Sequence, residues 1–219
     1  MRVQVSLGFA LAAGAFFSMS LMGAATGREQ KPDETQAAKS CELSEEDYSV
    51  FTAVLEALGK PEHPEEEWKN KEILVMDATG PGRVEPGQWN GWGFRSGSSA
   101  GPSAETRADF QDKDKDECRL KAGWGNPGLY KPFAKEEFAQ LFQEKRTGQH
   151  DGWKEFYEKH PKAGGFWTFS RPGYSKGKDE ALVYMARNCG WLCGTGHLYL
   201  LTKEDGQWKV KNRLFLWIS

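Results

Sequence analysis

The run GGFWTFSRPGYSKGKDEALVYMARNCGWLCGTGHLYLLTKEDGQWKVKNRLFLWIS, residues 164–219, decides how the chain is read. After Gly165 apolar residues recur at every second position, the period of a half-buried strand. FWTFS (166–170) leads into Arg171-Pro172-Gly173-Tyr174, and Lys176-Gly177-Lys178-Asp179 supplies a hairpin turn before a strand at 180–187. A cysteine loop, 188–196, precedes the strand HLYLLTK (197–203). Asp205-Gly206, a pair that tolerates positive φ, then turns the chain into the final strand, 207–219. In that strand Trp208, Val210, Leu214, Leu216 and Ile218 are expected on one face, with Gln207, Lys209, Lys211 and Arg213 on the other. Phe215 and Trp217 make the second face apolar as well, so something covers the sheet at that end.

Upstream the period is helical. Ser44 with Asp47 three residues on reads as a capping box, after which Tyr48, Phe51, Val54, Leu55 and Leu58 fall on one face until Gly59 and Pro61 stop the helix. EILVMDAT (72–79) suits a buried strand. Residues 80–103 form a long loop rich in Gly and Trp, and 104–118 is a polar helix anchored by Phe110. Short amphipathic helices are expected at 135–144, presenting Phe138, Leu141 and Phe142, and at 151–160, presenting Trp153, Phe156 and Tyr157. The expected architecture is α+β: an antiparallel β-meander of four to five strands, 72–79 being the fifth, with the helices packed on one face.

The chain's 219 residues suffice for one domain with a sizeable core, expected at 41–219. Lys plus Arg number 29 against 31 Asp plus Glu, so no basic field exists to hold nucleic acid. Nine Trp and thirteen Phe are many for so polar a chain; these rings must be buried or face a ligand. Residues 1–25 carry one positive charge, then an apolar run, then small Gly23 and Ala25, and read as a secretory signal peptide. The alternative is an uncleaved anchor, since 3–22 could just span a bilayer. Cleavage leaves no stable membrane span and a flexible polar tail at 26–40. Export to a periplasmic or extracellular setting permits disulfides, and the simplest pairing joins Cys189 with Cys193 and Cys41 with Cys118. A C-x3-C metal half-site is the rival for the first pair, but no second cluster with ligand spacing accompanies it.

No catalytic motif is present. Asp112, Asp114 and Asp116 mimic the start of a calcium loop, but Glu117 stands where Gly is required and Gly123 where Glu is required, so neither metal nor cofactor is expected. His63, His150, His160 and His197 are scattered. Cys189 or Cys193 with His197 could form a thiol nucleophile and base, an idea that cysteine pairing would remove. Trp89, Trp92 and Phe94 in the Gly-rich loop could stack on a sugar or enter a partner's pocket, or could fold back on the sheet. Arg171 with Tyr174, Tyr184 and Tyr199 could make an anion patch, or Arg171 could simply hold its turn. The expected function is a non-catalytic binding or interaction module for a small molecule, a glycan or an envelope protein. The alternative is a cell-envelope hydrolase whose acids or His197 are assembled only by the fold.

The motifs FSRPGY (169–174), ALVY (181–184), CGWLCG (189–194), DGQWKV (205–210) and the closing WIS resemble a group of exported bacterial proteins to which no activity is attached. The resemblance implies an order of elements and transfers no catalytic residue. The long loop after Thr79 and the acidic run depart from it. The DGQWKV hairpin is also similar to the last hairpin of cystatin-like cone folds of the nuclear transport factor type, which implies a ligand pocket between helices and a curved sheet.

Overall fold

A computed structural model describes residues 41–58, 71–93, 101–142 and 151–219, with 90–93 described through their backbone. The expected leader and tail, and Phe94, His63 and His150 among the candidate residues, lie outside the described residues. Among the described residues four α-helices, α1 (Glu45–Leu58), α2 (Ala104–Lys113), α3 (Lys135–Phe142) and α4 (Gly152–Lys159), accompany a seven-stranded sheet, so the fold is α+β. The strands are β1 (Glu72–Met76), β2 (Lys131–Phe133), β3 (Ala163–Phe169), β4 (Gly173–Tyr174), β5 (Glu180–Gly190), β6 (Cys193–Glu204) and β7 (Gln207–Ile218).

The order is β2-β1-β3-β5-β6-β7, with β4 continuing the line of β3 along β5. β3, β5, β6 and β7 pair antiparallel in succession, whereas β1 runs parallel to both β2 and β3. The sheet is therefore mixed and longer than a meander of four to five strands. Its parallel half needs crossovers, which the stretches carrying α2 and the α3–α4 pair supply.

Nor do the helices share one face. Paired residues in a ladder point the same way and neighbours along a strand point oppositely. Ala181, Val183 and Met185 of β5 thus meet α1 through Val50, Phe51, Val54 and Leu55, while Leu182, Tyr184 and Ala186 turn to Phe110 of α2 and to Trp89. Phe166 of β3 and Leu74 and Met76 of β1 lie on that second side, under Leu141 of α3 and Phe156 of α4. A strand read as continuously apolar over 181–186 is one covered on both faces.

The expected alternation along β7 also breaks. Trp208 and Val210 pack on the α1 side, Leu214, Leu216 and Trp217 on the other. Register shifts at Leu200/Leu201 and at Gly196/His197 account for the change, since an extra residue in one strand flips every later side chain.

The ends are fastened by polar contacts. The Ser44 amide donates to Asp47 Oδ2 at 2.7 Å and the Asp47 amide to Ser44 Oγ at 3.3 Å, closing the expected capping box. Ser103 caps α2, and Glu180 receives both the Ser103 amide at 2.8 Å and the Thr106 hydroxyl at 2.7 Å, locking that cap to β5. Cys41 is bonded to Cys118 and Cys189 to Cys193. Among the described residues no helix is long and apolar enough to cross a membrane.

Candidate functional site

The FSRPGY turn explains itself once the sheet is in place. β3 stops at Phe169, and Ser170, fully buried, bridges the break: its amide donates to the Tyr184 carbonyl at 2.9 Å and its hydroxyl accepts the Tyr184 amide at 3.0 Å. Beyond it Gly173 lies directly against α2, where a Cβ would sit 2.2 Å from the Phe110 nitrogen. Before the break β3 pairs Phe166 with Asn188 and Thr168 with Ala186 of β5, so the four share the α2 side of the sheet; Phe166 packs under the α3–α4 pair, and Thr168 and Asn188 are half-buried.

They form the floor of a cleft of about 320 Å³ between the α2 and α3–α4 clusters. One wall is Trp217, which lies across β6 where Gly194 and Gly196 leave room: a Cβ on Gly196 would stand 2.1 Å from its Nε1. That indole N–H donates to the Tyr184 hydroxyl at 2.9 Å. The opposite wall is Phe138 of α3 with Met76 and Ala78, and the rim carries Pro81, Arg83, Glu117 and Lys135. The Lys135 amide is held at 2.8 Å by Asp77 Oδ1, which fixes the start of α3 at the rim.

The electrostatics are uneven. Lys135 is ion-paired with Glu117, while Arg83 is exposed and has no ion pair among the described residues. Burial pushes the Tyr184 phenol above its ordinary pKa, against the opposing effects of the Trp217 bond and the Arg83 charge, so the floor is neutral. Neither the Thr168 hydroxyl nor the Asn188 carboxamide has a side-chain hydrogen bond among the described residues. The floor thus offers donors and acceptors to a visitor, and the walls offer aromatic faces.

No protein-family model, curated protein or solved structure matches the chain.

Of the candidate ligand-binding residues read from sequence, Tyr184 lines the cleft, and among the described residues Trp89, Arg171, Tyr174 and His197 do not. Trp89 is 8% exposed and packs edge-on to Phe110 at 6.2 Å under the Arg107 guanidinium, so it is a piece of core. The side chain of Trp92, like Phe94, lies outside the described residues. Arg171 is bound to Asp116 at 2.9 Å. The anion patch is not assembled: Tyr184 points to the α2 side, Tyr174 and Tyr199 to the α1 side. His197 pairs with Met185 on the α1 side, beside Phe215 at 5.5 Å, and the thiols that could have served as its nucleophile are both in a disulfide. Asp112, Asp114 and Asp116 converge on no metal-binding group among the described residues: Asp116 holds Arg171, and Asp114 ends α2 with its pKa raised by burial. Sequence reasoning missed Thr168, Asn188, Arg83 and the role of Trp217. The signal for the last was two glycines at alternate positions, Gly194 and Gly196, beside a strand ending in Trp.

A second groove, lined by more charged residues, runs between the start of α1, α2 and residues 171–178, and the groups at its centre are spent on one another. Asp109 accepts the Tyr174 amide at 2.7 Å and the Lys113 ammonium at 2.6 Å, and the Tyr174 hydroxyl donates to the buried Asp47 at 2.7 Å. This is a structural clasp joining α1 to β4. Tyr174→Phe is expected to cost about 2 kcal/mol at neutral pH, the weight of a hydrogen bond to a charged group. Burial first, then the Asp47 carboxylate, holds the phenol well above its ordinary pKa. Above about pH 10 the unfolded chain therefore loses a proton that the folded one keeps. The advantage of Tyr over Phe is full below that pH and shrinks as pH rises past it, which paired denaturant titrations across the alkaline range will read.

Proposed function

We propose that the protein is an exported module that binds a small molecule in the cleft above β3 and β5. The observation that carries the reading is the Trp217 wall beside Thr168 and Asn188, whose side chains have no hydrogen bond among the described residues, around a space of about 320 Å³, the size and mixed lining of a small-ligand site. Export is supported by the charged-then-apolar start of the sequence and by two disulfides, bonds that persist in oxidising compartments. A hydrolase is the weaker reading. Acid or nucleophilic hydrolysis needs two acids, or an acid with a base, facing one space. Among the described residues Glu117 is the lone carboxylate lining this cleft, it sits on the rim tied to Lys135, and no His or Cys lines the space.

The test is a thermal-shift screen of wild type against the double variant Thr168→Val, Asn188→Leu, using small acids, monosaccharides and dipeptides. A ligand present at a hundred times its Kd stabilises by about 2.7 kcal/mol. The expected result is a dose-dependent rise for wild type that the variant loses while keeping its own ligand-free midpoint. A wild type that responds to no compound, or a variant that responds equally, refutes the reading.

A further inference from the structure

We infer that the cleft takes a small monoanion with a single flat apolar ring, its carboxylate at the mouth against Arg83 and a neutral polar group at the floor. The inference rests on the small-molecule reading above and adds the chemical class.

The charge argument comes from the lining. It contains two cations, Arg83 and Lys135, and one carboxylate, Glu117, giving a local balance of plus one in a chain whose net charge is -2. Lys135 and Glu117 satisfy each other. The nearby acids Asp77 and Asp116 are held by Arg119 and Arg171, each at 2.9 Å. Among the described residues Arg83 therefore remains to meet an incoming anion, and its planar fork suits a carboxylate.

The floor asks for the opposite chemistry. Thr168, Asn188 and Tyr184 are uncharged, and a carboxylate pushed among them would lose its water without gaining a cation. A hydroxyl or carbonyl would exchange water for the free hydroxyl and carboxamide at little loss.

Shape supplies the middle of the ligand. Trp217 cannot swing away without leaving the bed of Gly194 and Gly196 and breaking its bond to Tyr184, so its ring is a fixed stacking surface. Phe138 and Phe166 face the same space. Aromatic rings prefer offset or edge contacts with one another, which a single planar ring entering here would find on either side. At about 320 Å³ the volume lies at the low end for ligand pockets, which suits one ring better than an oligosaccharide or a long peptide.

Isothermal titration at low salt with three probes tests this: 4-hydroxybenzoate, its neutral counterpart 4-hydroxybenzyl alcohol, and benzoate. The hydroxy acid should bind best. The alcohol should bind about tenfold more weakly, and Arg83→Met should weaken the acid by about the same factor while leaving the alcohol unchanged, the weight of one charge-assisted contact. Thr168→Val should close the gap between 4-hydroxybenzoate and benzoate. Arg83 is exposed, so its variant is expected to keep the wild-type melting midpoint. If the alcohol binds as tightly as the acid and Arg83→Met changes nothing, the anionic class is wrong and the binding reading stands. If none of the three binds but another small molecule does, and the floor variant abolishes it, the class is again wrong alone. If no small molecule binds at all, both fall.

Discussion

Gly173→Ala is expected to destabilise the fold by about 3 kcal/mol or more, the upper range for overpacking a close-packed interior. A Cβ there would stand 2.2 Å from the Phe110 nitrogen, 2.3 Å from its Cα and 2.5 Å from its Cβ. These are mostly backbone atoms in the middle of α2, so no side chain can swing aside to make room. Either α2 lifts from the sheet, pulling the fully buried Phe110 ring out of its cluster, or β4 leaves β5 and takes the Tyr174–Asp47 clasp with it. Gly80→Ala is the matched control, since a Cβ there meets nothing within 4 Å. Denaturant unfolding of the two variants should show the first strongly shifted and the second near wild type. Equal behaviour would mean that α2 does not sit on β4 as described.

Replacing both Cys41 and Cys118 by Ser is expected to cost about 4 kcal/mol, because that bond closes a long loop and a cross-link chiefly restricts the unfolded chain. The sequence separation is 77 residues, against 4 for Cys189 and Cys193, for which the same reasoning gives about 2 kcal/mol. The long bond also fastens the entry of α1 to the segment after α2, where the Cys118 amide donates to Thr79 Oγ1 at 2.8 Å. Denaturation of the two double-serine proteins under oxidising conditions should rank them in that order, and unfolding the native chain without reductant should expose no titratable thiol. A larger loss from the short loop would overturn the loop-closure account.

The strands of the C-terminal third were legible because burial on one face imposes a period of two and turn residues mark the joints. β2 was not. It is three residues long with Pro132 at its centre, a sequence that carries no strand signal and is tolerated because β2 is an edge. Coverage of both faces was written in the unbroken apolar run 181–186, yet which helix covers which side depends on tertiary pairing. The shift of faces along β7 was illegible in principle, since bulges follow from how two strands fit and composition does not mark them. The candidate site shows the same division. Tyr184 stood out by type, but Thr168 and Asn188 are ordinary strand residues that become a floor only when β3 is set beside β5. The aromatic loop drew attention to Trp89 because Trp is costly to expose, and that cost is why it is buried.

β7 bears on how the protein behaves at high concentration. A twelve-residue strand at a sheet margin is an open template on which a second chain could add itself and begin an aggregate. Here the margin is irregular at two register shifts against β6 and carries exposed Lys209, Lys211 and Arg213 along its length. The same offsets that bring Trp217 to the cleft thus deny a straight, uncharged edge to a neighbouring copy, so the guarding of the edge and the shape of the cleft both follow from two register shifts in one pair of strands.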